Sequence, residues 1–486
     1  MTQVIVVGAG PVGLWCGSEL ALRGIDVVIV ERLVQPVPYS KALTIHPRTL
    51  EMLAQRGIVD RFLERGVPLP TGHFGVLDSR LDFTSLDTDY PFTLMHPQSE
   101  TERLLAAWAV EQGATIRRGL TLISADDRGD RVVTTLEGPD GGIEQLDADY
   151  LIGADGTRSR VREIAGIAFE GTGSTSWGFL GDVVLDDPPA QRAFSTANEN
   201  GLMMIVPLPG GGHRVVGQDP LMQHGGDFSL EEFRTAVQNI AGTDFGMRDP
   251  SWLSRYGNAA RLASRYRVGR MLLAGDAAHM HFPAGGVGMN VGLQDAANLS
   301  WRLADVLDGL AGDSLLDAYT AERRPVGVEL LRASQAQTVL TGATSPDGLA
   351  LRRFLSDAIA QVPEFSRYLS ERLSGLAVRY GDSLDAGWRA PDIRTATGTL
   401  YGDLASGQPV LVHLRDLPQS TASLARELSI VTAAPALDDL HSRWQGIAAA
   451  LVRPDGYIAW SITESDWPAV ETELKRFRTS RPYRIG

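Results

Sequence analysis

The chain of 486 residues is 43% hydrophobic, enough for two or three cores and too long for one ordinary domain. Its 59 acidic residues outweigh 45 basic ones to give a net charge of −14, and without a Lys/Arg block this argues against nucleic acid or an anionic membrane as partner. A single cysteine, Cys16, excludes an internal disulfide, a CxxC pair and a cysteine metal cluster, and the absence of a membrane-length apolar run or a basic leader points to a cytoplasmic protein.

In chain order, Val4 to Val7 read as a buried parallel strand, followed directly by Gly8-x-Gly10-x-x-Gly13. A helix from Leu14 to Arg23 stops at Gly24, and a second strand from Val27 to Val30 ends at Glu31. Strand, glycine turn, helix, strand and terminal acid make a dinucleotide-binding unit: the glycines let the backbone approach a pyrophosphate, and Glu31 accepts from ribose hydroxyls. The pattern by itself does not separate FAD from NAD. Residues 41 to 47 read as an ordered loop and Thr49 to Gln55 as a helix; Lys41 and Arg48 could each meet a phosphate or be plain solvated cations. Asp78 to Phe92 alternates patchily and is assigned to a sheet outside the nucleotide-binding unit; Gln98 to Trp108 is a helix. At 149 to 162 a strand ending in Leu151-Ile152 runs into an Asp155-Gly156 turn followed by Thr157, Arg158 and Ser159, a second candidate cofactor segment.

Residues 178 to 266 alternate short strand-like runs, Leu202 to Pro207 and His213 to Gly217 among them, with glycine and proline turns, and hold one helical stretch, Leu230 to Ile240. A β-rich layer inserted over the cofactor, with a substrate cavity beneath it, is expected. Trp177, Phe179, Met203, Met204 and Phe228 could line that cavity, although each fits an ordinary core as well.

The stretch that organises the rest is 270 to 299. Met271 to Ala274 form a short strand, the chain turns at Gly275-Asp276, passes Pro283 and enters the glycines 285, 286 and 288 at the start of a helix. Ala296, Leu299, Leu303, Val306 and Leu310 give that helix one apolar face and leave Asp295 and Arg302 for other surfaces. A glycine-rich helix start admits a flat ligand and favours negative charge on it. His279 and His281, two apart, do not share a helix face, and no metal is expected. Beyond it, Leu315 to Arg324 and Val326 to Leu340 are helices separated by Pro325, and from about Asp392 a small mixed α/β unit follows with a hairpin about Pro454-Asp455-Gly456.

The motifs GAGPVG (8 to 13), GADGTRSRVR (153 to 162) and GDAAHMHFPAGGVGMNVGLQDAANL (275 to 299) together resemble the single-component FAD-dependent aromatic hydroxylases, the group A flavoprotein monooxygenases. GHFGVL (72 to 77), LPGGGHRVV (208 to 216), YTAERRPVG (319 to 327) and LVRPDGYIAW (451 to 460) resemble the branch that acts on aromatic polyketides and includes rifampicin monooxygenases. The resemblance implies an α/β fold: a Rossmann-like FAD-binding domain with a helical connector (1–175 and 268–390), an inserted β-rich substrate domain (176–267) and a C-terminal thioredoxin-like domain (391–486). It implies non-covalent FAD, NADPH or NADH as reductant, and hydroxylation of a large aromatic small molecule by O2 through a flavin C4a-hydroperoxide, in a monomer or homodimer.

Carried over by position, Gly8, Gly10 and Gly13 would take the FAD pyrophosphate and Glu31 the ribose, with Lys41 near a phosphate, Gln98 near the flavin and Arg32 also on the cofactor. Asp155 and Asp276 would serve the cofactor, and Pro283, Gly286, Gly288, Met289 and Asn290 would lie along the isoalloxazine. Lys41 stands where the family often has arginine, which loses bidentate geometry, and Val287 replaces a frequent glutamine. No catalytic base is assigned; His213, Arg214 and Tyr256 could touch a phenol, and each also has a plain structural reading. The C-terminal unit, lacking cysteine, cannot do thiol chemistry. Rival readings are a flavin halogenase, opposed by the absence of a WxWxIP segment, a reductase or desaturase on the same scaffold, an antibiotic-inactivating monooxygenase and a non-catalytic flavin- or drug-binding protein.

Overall fold

The computed structural model describes residues 2–191, 193–221, 228–381, 386–435, 441–463 and 466–479. At its centre six strands lie in the order Arg267–Val268, Met271–Leu273, Tyr150–Gly153, Val4–Val7, Val27–Glu31, Thr115–Arg118. The last five are parallel and the first, at the edge, runs against them. Every residue of Val4–Val7 is buried, as a parallel strand covered on both faces requires. Helix Pro11–Leu22 packs against both Gln98–Glu111 and Gly288–Leu307. A meander that no alternation had announced, Thr121–Asp127, Val132–Glu137 and Ile143–Ala148, joins the same apolar cluster through Leu122, Val132 and Leu136.

A second, antiparallel sheet runs Phe194–Asn198, Gly201–Pro207, His213–Gln218, Trp177–Leu185, Met247–Gly257. Helix Leu230–Ala241 backs it, started by a reciprocal Ser229–Glu232 cap and stopped by Gly242 at φ 78. Phe179, Met203 and Phe233 fill the space between helix and sheet, joined by Phe228 at its margin. Those three candidate cavity residues, Phe179, Met203 and Phe228, are therefore core on the far side of the sheet, and Trp177 also lies away from the cavity; Met204 alone of the five lines it.

The C-terminal segment forms a four-stranded sheet in the order Val431–Ala433, Val410–His413, Ala449–Val452, Ile458–Ile462. Its hairpin turn at 454–456 reaches back into the rest of the chain: Arg48 donates to the Asp455 carbonyl (2.6 Å), Arg56 to the Pro454 carbonyl (2.9 Å), and Asn298 to the Asp455 carboxylate (3.2 Å). Arg48 is thus no phosphate ligand. It is fully buried, paired with Glu51 at 2.8 Å and stacked on Tyr457.

Pro325 does not divide its region: helix Asp317–Thr341 is continuous, because Glu322 and Arg323 in the turn before the proline are anchored by Arg302, Arg453 and Asp295. Helix Gly288–Leu307 is buried on all sides from Gly292 to Asp305, so Asp295 and Arg302 face no solvent; each meets an opposite charge instead. In 78–92 only Leu81–Asp82 is a strand, paired with Thr71–Gly72.

Candidate active site

The parallel strands all end at one edge of the sheet, and there the turns after Val7, Gly153 and Leu273 open on a cavity of about 820 Å³. Gly8 sits at φ +106, and a Cβ on it would lie 2.4 Å from the Ala154 carbonyl oxygen; one on Gly13 would lie 1.9 Å from the Gly8 carbonyl oxygen. Only glycine allows turn, helix and neighbouring strand to meet this closely. Gly10 has nothing within 4 Å of where its Cβ would point, and it starts helix Pro11–Leu22 without a side-chain cap, leaving first-turn N–H groups for an anion.

Glu31 stands at the far end of the wall, its carboxylate accepting from the N–H groups of Ala9 (2.8 Å) and Leu33 (3.0 Å). Arg32 and Lys41, both exposed, line the same end. Gln98 accepts from Ala42 N–H (2.9 Å) and donates to Glu102 (2.8 Å), so its side chain shapes the loop that carries Lys41. Asp155 uses one oxygen to accept from the N–H groups of Arg160 (2.6 Å) and Val161 (3.2 Å); the other is buried with no hydrogen-bond partner among the described residues. Burial raises the Asp155 pKa, opposed by Ser159 and those N–H groups. Asp276, on the turn Gly275–Ala277, presents its carboxylate to the cavity.

Pro283, Gly286, Gly288 and Met289 form the middle of the wall. At φ +65, Gly286 admits no side chain easily, and a Cβ there would meet Thr44 Oγ1 at 2.2 Å. Asn290 departs from its expected place along a flat ligand. It is 2% exposed, accepts from His46 N–H (2.8 Å) and donates to the carbonyls of Thr44 (3.1 Å) and Gly286 (3.0 Å), stitching the glycine loop to strand Thr44–Ile45. His46 adds a bond from Nε2 to the Gly285 carbonyl (2.8 Å), and burial, opposed by that bond, holds its pKa down to about 4.

The residue that sequence reasoning missed is Asp295. One of its oxygens accepts from Gly275 N–H (3.1 Å) and His279 Nε2 (2.7 Å), the other from Arg323 Nε (2.7 Å). A single buried carboxylate therefore fixes the turn that carries Asp276, the strand His279–Met280 and helix Asp317–Thr341.

On the side away from the glycines the wall is the antiparallel sheet, with Leu202, Met204, Val216 and Tyr256 turned to the cavity and Phe282 opposite. Tyr256 packs on Phe282 with ring centres 5.3 Å apart, and burial raises its pKa. Arg214 is a brace: it pairs with Asp182 (2.7 and 2.8 Å) and donates to the carbonyls of Ser40 and Lys41. His213 does not line the cavity.

An anion-accepting helix start, a ribose-height acid, an unpartnered buried carboxylate oxygen and a glycine wall fit an adenine dinucleotide carrying a flat ring, with space left beside the ring. The comparisons agree. The FAD binding domain family matches residues 1–334 and the aromatic-ring hydroxylase C-terminal family matches 384–479. An uncharacterized aromatic compound monooxygenase of Bacillus subtilis is 44% identical over 477 residues, covering 95% of each chain. A rifampicin monooxygenase of Streptomyces venezuelae is 38% identical over 474 residues, covering 95% of this chain and 96% of its own. The solved structure of an anhydrotetracycline hydroxylase from Streptomyces rimosus superposes with a TM-score of 0.90 at 37% identity over 99% of both chains. The chain belongs to the FAD-dependent aromatic-ring hydroxylases, and it is a flavoprotein monooxygenase.

Proposed function

We propose that this monooxygenase hydroxylates a large, fused-ring aromatic of the polyketide type, with NADPH as electron donor and O2 as oxygen source. The observation that carries the reading is one cavity of about 820 Å³, glycine-walled where a cofactor would lie and lined beyond it by Leu202, Met204, Val216, Tyr256 and Phe282 among others. FAD, when bound, would supply the redox chemistry, hydride acceptance from a nicotinamide and activation of dioxygen. Gly10 and the start of helix Pro11–Leu22 would bind the pyrophosphate, with Glu31 at the ribose and Arg32 and Lys41 at the phosphate end. Asp155 and Asp276 would hold the polyol chain, and Pro283 to Met289 would lie against the ring, kept in shape by Asn290 and His46 from behind. The start of helix Gly288–Leu307 would stabilise negative charge on a reduced ring. Met204, Tyr256 and Phe282 would orient the substrate and exclude water.

Residues 1–175 and 268–390 would bind the cofactor and carry the helical connector, 176–267 would roof the substrate, and 391–486 would form a thioredoxin-like unit that does no thiol chemistry and serves packing, shaping of the substrate pocket or assembly. Such an enzyme would work as a monomer or homodimer. The test is to incubate purified, FAD-loaded protein with NADPH and O2 in the presence of anhydrotetracycline or rifampicin. Product mass should rise by one oxygen atom with at least one multi-ring phenol, and NADPH consumption should rise with it. NADPH oxidation indifferent to every such compound, with no mass change, would refute the proposal.

A further inference from the structure

Between strands Thr71–Gly72 and Leu81–Asp82 the chain makes a turn that two helices hold rigidly. Gly75 N–H donates to Gln337 Oε1 (3.0 Å), and buried Arg352 donates to the carbonyls of Gly75 (3.0 Å) and Val76 (2.6 Å). Gly75 at φ 56 and Val76 at φ 51 both lie in the left-handed region, which a β-branched residue keeps only where its surroundings over-determine it. Such fixation beside a cavity is a mark of a side chain that must be presented in one place.

The side chain presented is His73. Its ring lines the cavity, and its Nδ1 is enclosed by protein with no hydrogen-bond partner among the described residues, which leaves Nε2 as the nitrogen open to the cavity. A proton on Nδ1 would be a buried donor without an acceptor; on Nε2 it faces the open space. Burial, together with the charge of Arg80 and the neighbouring His46, holds the His73 pKa down to about 4, so the ring is a neutral donor at working pH. Arg80, on the same hairpin, also lines the cavity. Its Nη2 donates to Ser195 Oγ (3.2 Å), and among the described residues it pairs with no carboxylate. The other ionisable groups lining the cavity on this side are His46, His281, Tyr256 and Arg214, with Asp276 in the glycine-rich half. Arg214 is matched by Asp182, and Asp78, exposed and outside the lining, acts on Arg80 through space without forming an ion pair.

We propose that His73 and Arg80 together hold an ionised hydroxyl of the substrate, a phenolate or enolate oxygen on a fused-ring aromatic, with His73 Nε2–H and the Arg80 guanidinium as its donors. This rests on reading the cavity as an aromatic hydroxylation site. Ionisation breaks the substrate O–H bond and releases its proton to water; the oxygen anion left behind enriches the ring carbons ortho and para to it, where an electrophilic oxygen is accepted. His73 and Arg80 thus set specificity for acidic phenols and enols.

The test uses the full-length, FAD-loaded protein without reductant, titrated with 1-hydroxyanthraquinone and with unsubstituted anthraquinone. The phenolate absorbance of the bound hydroxy compound is followed against pH. We expect the hydroxy compound to bind about tenfold more tightly than the parent, and to ionise about one pH unit lower bound than free. Arg80→Met abolishes the shift. His73→Phe weakens binding of the hydroxy compound about tenfold and leaves the parent unaffected, while His73→Gln, which keeps an N–H donor, retains most of the preference. Equal affinity for the two ligands, or an unshifted ionisation on the unaltered protein, overturns the inference and leaves the proposed activity standing. If neither anthraquinone binds, the reading of the cavity fails and takes the inference with it. The two-ligand comparison needs no variant, so it decides even where a substitution impairs folding.

Discussion

Replacing Asp295 by Asn tests how the cofactor turn is built. The carboxylate meets three donors, Gly275 N–H, His279 Nε2 and Arg323 Nε, and it is 1% exposed. Asn has the same shape but offers one acceptor and one NH2 group. With its oxygen kept on Arg323 the NH2 group turns to His279, which can accept by changing tautomer, and Gly275 N–H is orphaned. With the oxygen turned the other way, the NH2 group confronts the Arg323 guanidinium. Either way Arg323, which is fully buried, loses its counter-charge, a change that costs about 3–5 kcal/mol. Orphaning Gly275 N–H loosens the turn that carries Asp276, worth about 1–3 kcal/mol and so roughly tenfold or more in FAD affinity. Thermal melting and FAD titration of the apoprotein measure the two effects separately. The double variant Asp295→Asn, Arg323→Gln should melt above the single one, since it removes both members of the pair. A single variant that melts with the parent, or a double variant no better than the single, refutes the reasoning.

Gly286→Ala places a Cβ 2.2 Å from Thr44 Oγ1 at a backbone φ of +65, and FAD affinity should fall; adding Thr44→Ala removes the clash but not the backbone cost of about 1–2 kcal/mol, so titration should show partial recovery. Glu322 is buried, which works to raise its pKa, but Arg302 and Arg453 outweigh that and hold it at about 2. A carboxylate with a folded pKa below its unfolded one contributes stability that is complete above the unfolded value and lost as pH falls through the folded one. The melting temperature should therefore decline from about pH 5 toward pH 2, and Glu322→Gln should flatten that decline. Arg48→Met should cost about 2–3 kcal/mol and speed amide exchange in the hairpin around Asp455, with FAD binding little changed; exchange confined to other segments would contradict the assigned contact.

Local chemistry was legible in the sequence and long-range pairing was not. The strand, glycine turn, helix, strand succession at 4–31 and the capped helix after Ser229 follow from residues a few positions apart, and they lie where expected. The glycines 285, 286 and 288 of the cavity wall were read from their spacing, which reports directly on backbone approach, while Pro283 and Met289 came from the family resemblance. Asp295 was given no role because an apolar period identifies one buried face and is silent about a helix buried on every side. Its partners His279 and Arg323 lie on other elements, so no short-range spacing marks them. Arg48 stayed open between a phosphate contact and a solvated cation for the same reason, since its acceptor is a carbonyl at residue 455. Phe179 and Met203 were ambiguous because alternate residues of one strand face opposite ways, and only the position of helix Leu230–Ala241 decides which face is core.

The return of the 454–456 hairpin into the body of the protein bears on chimera construction. Arg48, Arg56, Asn298 and Glu322 are cut to the outline of that one turn, through its carbonyls, its aspartate and the adjoining Arg453. A tail transplanted from a relative would seat only if those four positions travelled with it, and a tail deleted outright would take from Arg48 and Arg56 the carbonyls they donate to and from Glu322 its Arg453 partner.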